Sequence, residues 1–85
     1  AKSMFIVRHA KDVLPFGTLV SSEDDNASGI VGDGGSVYLT GLSAKGTLHA
    51  VWGRDSAQRC TIRYALNPKN YQARTGLYSQ EVICQ

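Results

Sequence analysis

The stretch "RCTIRYAL", residues 59–66, alternates without a break. Cys60, Ile62, Tyr64 and Leu66 fall on one side; Thr61, Arg63 and Ala65 fall on the other. A period of two is the repeat of a strand with one face buried, because successive side chains leave opposite faces of a pleated backbone. The same period returns in "SVYLTG", where Val37 and Leu39 oppose Tyr38 and Thr40. It returns again in "GTLHAVWG", where Leu48, Ala50 and Trp52 oppose His49 and Val51. Strands with one apolar face must bury that face against another layer, so the chain needs a second sheet.

The remaining segments fit between such strands. "MFIVRHA" is apolar and β-branched, and "KD" after it reads as a turn. In "VLPFGTLV", Pro15 has no N–H to give to a ladder, so Val13 to Phe16 reads as the lead-in to an edge strand, with Phe16, Thr18 and Val20 alternating on one face. "SSEDDNASG" reads as a hairpin loop, and Asp33-Gly34-Gly35 as a tight turn into the next strand. Asn67-Pro68 ends a strand, "KNYQARTGLYS" has no clear pattern, and "QEVICQ" closes as a last strand. No segment carries a helical repeat. The expected fold is all-β: a single domain over residues 1–85, built as a small antiparallel β-sandwich of about six to seven strands.

Composition excludes several functions. The net charge is +2, and the nine basic residues never cluster three together, so there is no nucleic-acid footprint. No apolar run approaches the ~20 residues with which a helix crosses a bilayer, and "AKSMFIVRHAK" lacks the long apolar centre of a signal peptide. His9, expected in a turn, and His49, at an outward strand position, have no neighbourhood that would make either a catalytic base. Asp24 and Asp25 lack the spacing of an EF-hand. "GIVGDGG" lacks the Lys-Ser/Thr ending of a phosphate loop and has no helix after it. The Asn26-Ala27-Ser28 glycosylation pattern is common by chance and carries no weight. No catalytic group, metal site, cofactor or small-molecule substrate is indicated, which leaves a binding or assembly module.

Cys60 and Cys84 fit neither a CxxC redox pair nor a four-ligand zinc site. Two free thiols of a cytosolic protein are one reading. The other is a disulfide that ties the last strand to the sheet, and a small β-domain with a thin core gains most from it. We favour the bridge, which places the chain outside the reducing cytosol.

Taken together and in order, "LPFG", "SGIVGDGGSVYLTGL", "GTLHAVWG", a cysteine in a strand and a cysteine near the end resemble the C-terminal domain of outer-membrane fimbrial ushers of the chaperone/usher pathway. The resemblance covers roughly residues 13 to 84. Thr18 stands where the family commonly has Ala, and "NPKNYQARTGLYSQEVIC" departs from its pattern. What the resemblance implies is a piece of a much larger outer-membrane protein. The other domains of that parent usher, its barrel, plug and N-terminal domain, would be its partners within the chain. Periplasmic chaperone–subunit complexes would be the external partner, docked on the periplasmic side while a fimbrial or capsule-like fibre is assembled and secreted. The oxidising periplasm agrees with a Cys60–Cys84 bridge.

The candidate contact residues are Leu14, Phe16, Leu19, Ile30, Tyr38 and Val51, a group of apolar side chains of which the last four are outward by alternation. Leu14 and Phe16 have a competing role as a cap over one end of the core. The alternative function is a generic extracellular β-sandwich module that binds carbohydrate or acts in adhesion. Trp52, the one indole, would then be exposed in a groove as a sugar platform.

Overall fold

The computed structural model describes all of residues 1–85. Its strands are β1 (Lys2–His9), β2 (Asp12–Val13), β3 (Leu19–Ser22), β4 (Ser28–Ile30), β5 (Ser36–Leu39), β6 (Lys45–Val51), β7 (Arg59–Ala65), β8 (Tyr71–Gln72) and β9 (Leu77–Ile83). Single 3-10 turns at Asp33–Gly35, Ser56–Gln58 and Pro68–Asn70 join some of them. The expected all-β sandwich is present. The strand count is nine because β2 and β8 are only two residues long, too short to show a period in the sequence.

One sheet has four strands in the order β4-β3-β6-β7. The other has five, β2-β1-β9-β8, with β5 sharing the β2 side of β1. All pairs are antiparallel but one: β1 and β9 run parallel, from Lys2 opposite Leu77 to Arg8 opposite Ile83. A parallel pair cannot be joined by a hairpin, and here the connection is nearly the whole chain. The first and last strands thus form the middle of a sheet.

The core lies between the sheets. Phe5, Val7, Val37, Leu39 and Val82 descend from the five-stranded sheet onto Val20, Leu48, Ala50, Ile62 and Tyr64 of the other. Each large aliphatic or aromatic side chain so buried contributes about 1.5–3 kcal/mol. Trp52 and Leu66, expected in the core, are only partly buried and pack on its margin. Cys60 and Cys84 form the expected disulfide. It sits where the sheets join: Thr61 and Gln85 exchange N–H···O bonds of 2.8 Å while Cys84 N–H donates to Arg8 O, so the chain end bridges both layers.

Two further expectations change. The strand before Pro15 is Asp12–Val13, and Pro15–Thr18 is a turn instead of a strand lead-in. Thr18 N–H and its hydroxyl both donate to Pro15 O, at 3.2 and 2.6 Å, and Gly17 takes φ +86°, the conformation that position requires. Thr18 and Val20 therefore point inward as a pair, while Phe16, before the turn closes, points out. His9, in turn, is the last residue of β1 and not part of a loop.

Candidate functional site

The outer face of the four-stranded sheet carries the apolar residues with the best claim to function. Leu19 of β3 lies opposite Ile30 of β4 on one side and Val51 of β6 on the other. All three alternate outward, because their neighbours Val20, Val31 and Ala50 are fully buried. Leu19 is 59% and Ile30 64% exposed, with Val51 half-buried. Adjacent strands lie about 4.8 Å apart, so the three side chains form one continuous row about 10 Å long. The row ends at Arg59 of β7, the partner of Val51.

The neighbouring row is polar. Ser21 lies between Ser28 and His49, and His49 faces Thr61. His49 Nε2 stands 3.7 Å from Glu23, an exposed pair worth little by itself. The Ile30–Leu19–Val51 row is thus bounded, which a docking surface needs if it is to be read in one register.

Phe16 belongs to the same end of this sheet. Gly17 N–H donates to Val31 O and Val31 N–H to Thr18 O, at 2.8 and 2.9 Å, which fixes the Pro15–Thr18 turn beside the end of β4. Phe16, 76% exposed, stands at its tip. Leu14 does not join it. That side chain is 1% exposed, inside the core, because Leu14 N–H donates to Val7 O and continues the β1 ladder after β2. As a contact residue Leu14 is withdrawn; the capping role fits it and not Phe16. Tyr38 is exposed as its alternation requires, but it lies on β5, opposite Met4, on the other sheet. It shares no row with Leu19, Ile30 and Val51.

The sequence reading missed other exposed apolar groups. Ile83 lies outward between the buried Val82 and Cys84, which alternation in "EVICQ" could have shown. Tyr71 and Tyr78 pack with ring centroids 5.1 Å apart across the β8–β9 pair, in a segment without a visible period. Trp52 packs on the core margin with its ring 5.2 Å from that of His9, so it is no open platform.

Polar features are local. A groove of about 220 Å³ at one end of the sandwich is lined by Ser22, Asp24, Ser43, Lys45, Thr47 and Tyr64, among others. Asp24 there holds the Glu23–Ala27 loop: its carboxylate accepts from the Ser22 hydroxyl at 2.7 Å and from Asn26 N–H at 3.1 Å, which lowers its pKa. Tyr64 donates to Ser43 O at 3.1 Å, and burial, with the Asp24 charge, raises its pKa. No group of three or more His, Cys, Asp or Glu side chains is placed to hold a metal ion.

Comparison with known proteins gives one answer. Residues 4–68 match the family described as the PapC C-terminal domain. The chain is 39% identical over 82 residues to the outer membrane usher protein PsaC of Yersinia pestis, covering 95% of this chain and 10% of that protein. It is 38% identical over 71 residues to the outer membrane usher protein FimD of Escherichia coli K12, covering 84% of this chain and 8% of that protein. The chain therefore spans about a tenth of these relatives. Among solved structures, the Caf1A usher C-terminal domain superposes with a TM-score of 0.83 at 34% identity, over 99% of this chain and 96% of that one. For the Caf1A domain, conserved hydrophobic clusters on the surface are important for F1 antigen assembly.

Proposed function

The chain belongs to the PapC C-terminal domain family of outer membrane ushers, and from that premise we propose that it is the periplasmic docking domain of such an usher. It receives chaperone–subunit complexes while the parent protein assembles and secretes a surface fibre. The domain acts by binding and carries out no chemical step. Its contact surface is the Ile30–Leu19–Val51 row with Phe16 at its end.

One observation carries this reading: three outward apolar side chains, contributed by three adjacent strands, stand in a single register on an otherwise polar face. Alternation alone gives scattered apolar residues, which are ordinary on protein surfaces. A row in register is a patch, and patches mark interaction sites. The hydrophobic surface clusters of the Caf1A domain, important for F1 antigen assembly, support assigning this patch to assembly.

The test is the double substitution Leu19→Thr, Ile30→Thr in the full-length parent usher. Threonine supplies at both positions the β-branched shape a strand prefers, while removing most of the apolar contact. Both side chains are exposed, so stability should change by less than about 0.5 kcal/mol per site. The usher should still reach the outer membrane, with binding of the chaperone–subunit complex weakened about tenfold or more and fibre export reduced in step. Normal binding and export by a folded double variant would refute the assignment.

A further inference from the structure

The apolar row stops at an edge. β4 is the last strand of its sheet, and Ile30, its terminal residue, is also the end of the row. Ser22 N–H donates to Ala27 O, Val20 lies opposite Gly29, and Val31 N–H donates to Thr18 O. Backbone groups alternate sides along a strand, so Ala27, Gly29 and Val31 turn toward β3 while Ser28 and Ile30 turn away. The N–H and C=O groups of Ser28 and Ile30 therefore face outward, and no turn or loop hydrogen bond takes them up.

Unpaired strand edges invite another strand, and proteins normally guard them with charge, proline or cover. The other edges here carry charge, proline or cover, or are shorter: beyond the two residues paired with β8, the open side of β9 carries Glu81. β7 carries Arg59 and Arg63 and is joined to Gln85 at Thr61. β2 starts with Asp12 and is soon ended by Pro15, and β8 is two residues long. β5 has β4 lying against it: a Cβ on Gly29 would come within 2.7 Å of Tyr38 O. β4 itself reads Ser-Gly-Ile, without charge or proline.

We infer that the docked partner adds a strand to the β4 edge. This rests on the docking role proposed above and names its mode: an extended segment of the partner protein hydrogen-bonds to Ser28 and Ile30 and so extends the four-stranded sheet. Continuity of the row selects this occupant. A residue directly opposite Ile30 on an added strand would have its Cβ about 4.5–5.5 Å away, the spacing at which apolar cross-strand pairs stabilise a sheet. The segment thus carries an apolar side chain beside Ile30, lengthening the row by one strand, and a polar one two residues away, beside Ser28. Main-chain bonds supply affinity and the apolar position supplies register, as in other strand additions.

The inference is tested by Ser28→Pro in the full-length usher, with Ser28→Ala as its control. Proline at 28 removes an N–H that the domain itself does not use, and leaves Leu19, Ile30 and Val51 in place. Ser28→Pro should weaken binding of the purified chaperone–subunit complex about tenfold or more while Ser28→Ala binds normally. The second measurement is hydrogen exchange on the unmodified usher, which stands even if Ser28→Pro fails to fold. The Ser28 and Ile30 amides should exchange rapidly alone and slow about tenfold or more with the complex bound. Normal binding by a folded Ser28→Pro, or no protection of those amides in the bound usher, would overturn strand addition. If Leu19→Thr, Ile30→Thr still abolishes binding in that case, the docking row stands and only its mode is wrong; if that variant also binds normally, both readings fail.

Discussion

Reducing the Cys60–Cys84 bridge should remove a large part of the stability of this domain. The two residues are 24 apart in sequence, and confining an unfolded loop of that length stabilises the folded state by about 3.5 kcal/mol in the chain-entropy model. A chain of 85 residues has about 4 to 13 kcal/mol in all. Reduction leaves the folded state little changed, because the Thr61–Gln85 bonds and the Cys84 N–H bond to Arg8 O hold the seam without the sulfurs. The loss therefore arises from the freed unfolded chain. Urea unfolding of the chain with and without a thiol reductant measures it. At a slope of about 1 kcal/mol per molar urea, the midpoint should fall by about 3.5 M. The slope itself should rise, since the reduced unfolded chain exposes more surface. A midpoint shift below about 1 M would refute the loop-entropy argument. A shift of the expected size with an unchanged slope would place the effect in the folded state.

Gly29→Ala should destabilise the domain by about 1–3 kcal/mol, although alanine suits a strand better than glycine, because the new methyl would meet Tyr38 O at 2.7 Å and Val37 Cγ2 at 2.9 Å; an unchanged urea midpoint would show that β4 and β5 separate freely. Asp24 has its folded pKa lowered from 3.8 by the Ser22 hydroxyl first and Asn26 N–H next. Its contribution to stability is complete above the ordinary carboxylate value and is lost as pH falls through the lowered one. Asp24→Asn should therefore flatten the fall of stability in acid, and parallel acid titrations of the two proteins would contradict this.

How much of this was legible in the sequence depends on what sets each feature. Alternation is local, so it identified which residues of β5, β6 and β7 face in and which face out: Val37, Leu39, Leu48, Ala50, Cys60, Ile62 and Tyr64 are all buried. It broke at Pro15–Thr18, where one turn resets the phase. A reading that carried the period from Phe16 to Val20 put an exposed phenylalanine beside a buried threonine. The motifs from "LPFG" to the last cysteine carried the family likeness without needing any register, and the family match over residues 4–68 agrees with it.

The candidate site is less legible, because a row is a property of register between strands. Leu19, Ile30, Val51 and Tyr38 all look outward to the period, and nothing in their local patterns separates them. Three of them meet because the Glu23–Ala27 loop, held by Asp24 and by Ala27 N–H donating to Ser22 Oγ, sets Leu19 opposite Ile30, while the β3–β6 ladder sets Leu19 opposite Val51. Tyr38 leaves the group because β5 pairs with β1, a strand more than thirty residues earlier, and so joins the other sheet. Sheet membership is decided by such distant pairings, as it is for β1 and β9. Hydrophobic periodicity thus identifies the outward apolar side chains, and the long-range ladders determine which of them stand together. The β4 edge follows the same logic: Ser28-Gly29-Ile30 is unremarkable as a tripeptide, and becomes an unguarded end of an apolar row only once β3 and β6 are laid beside it.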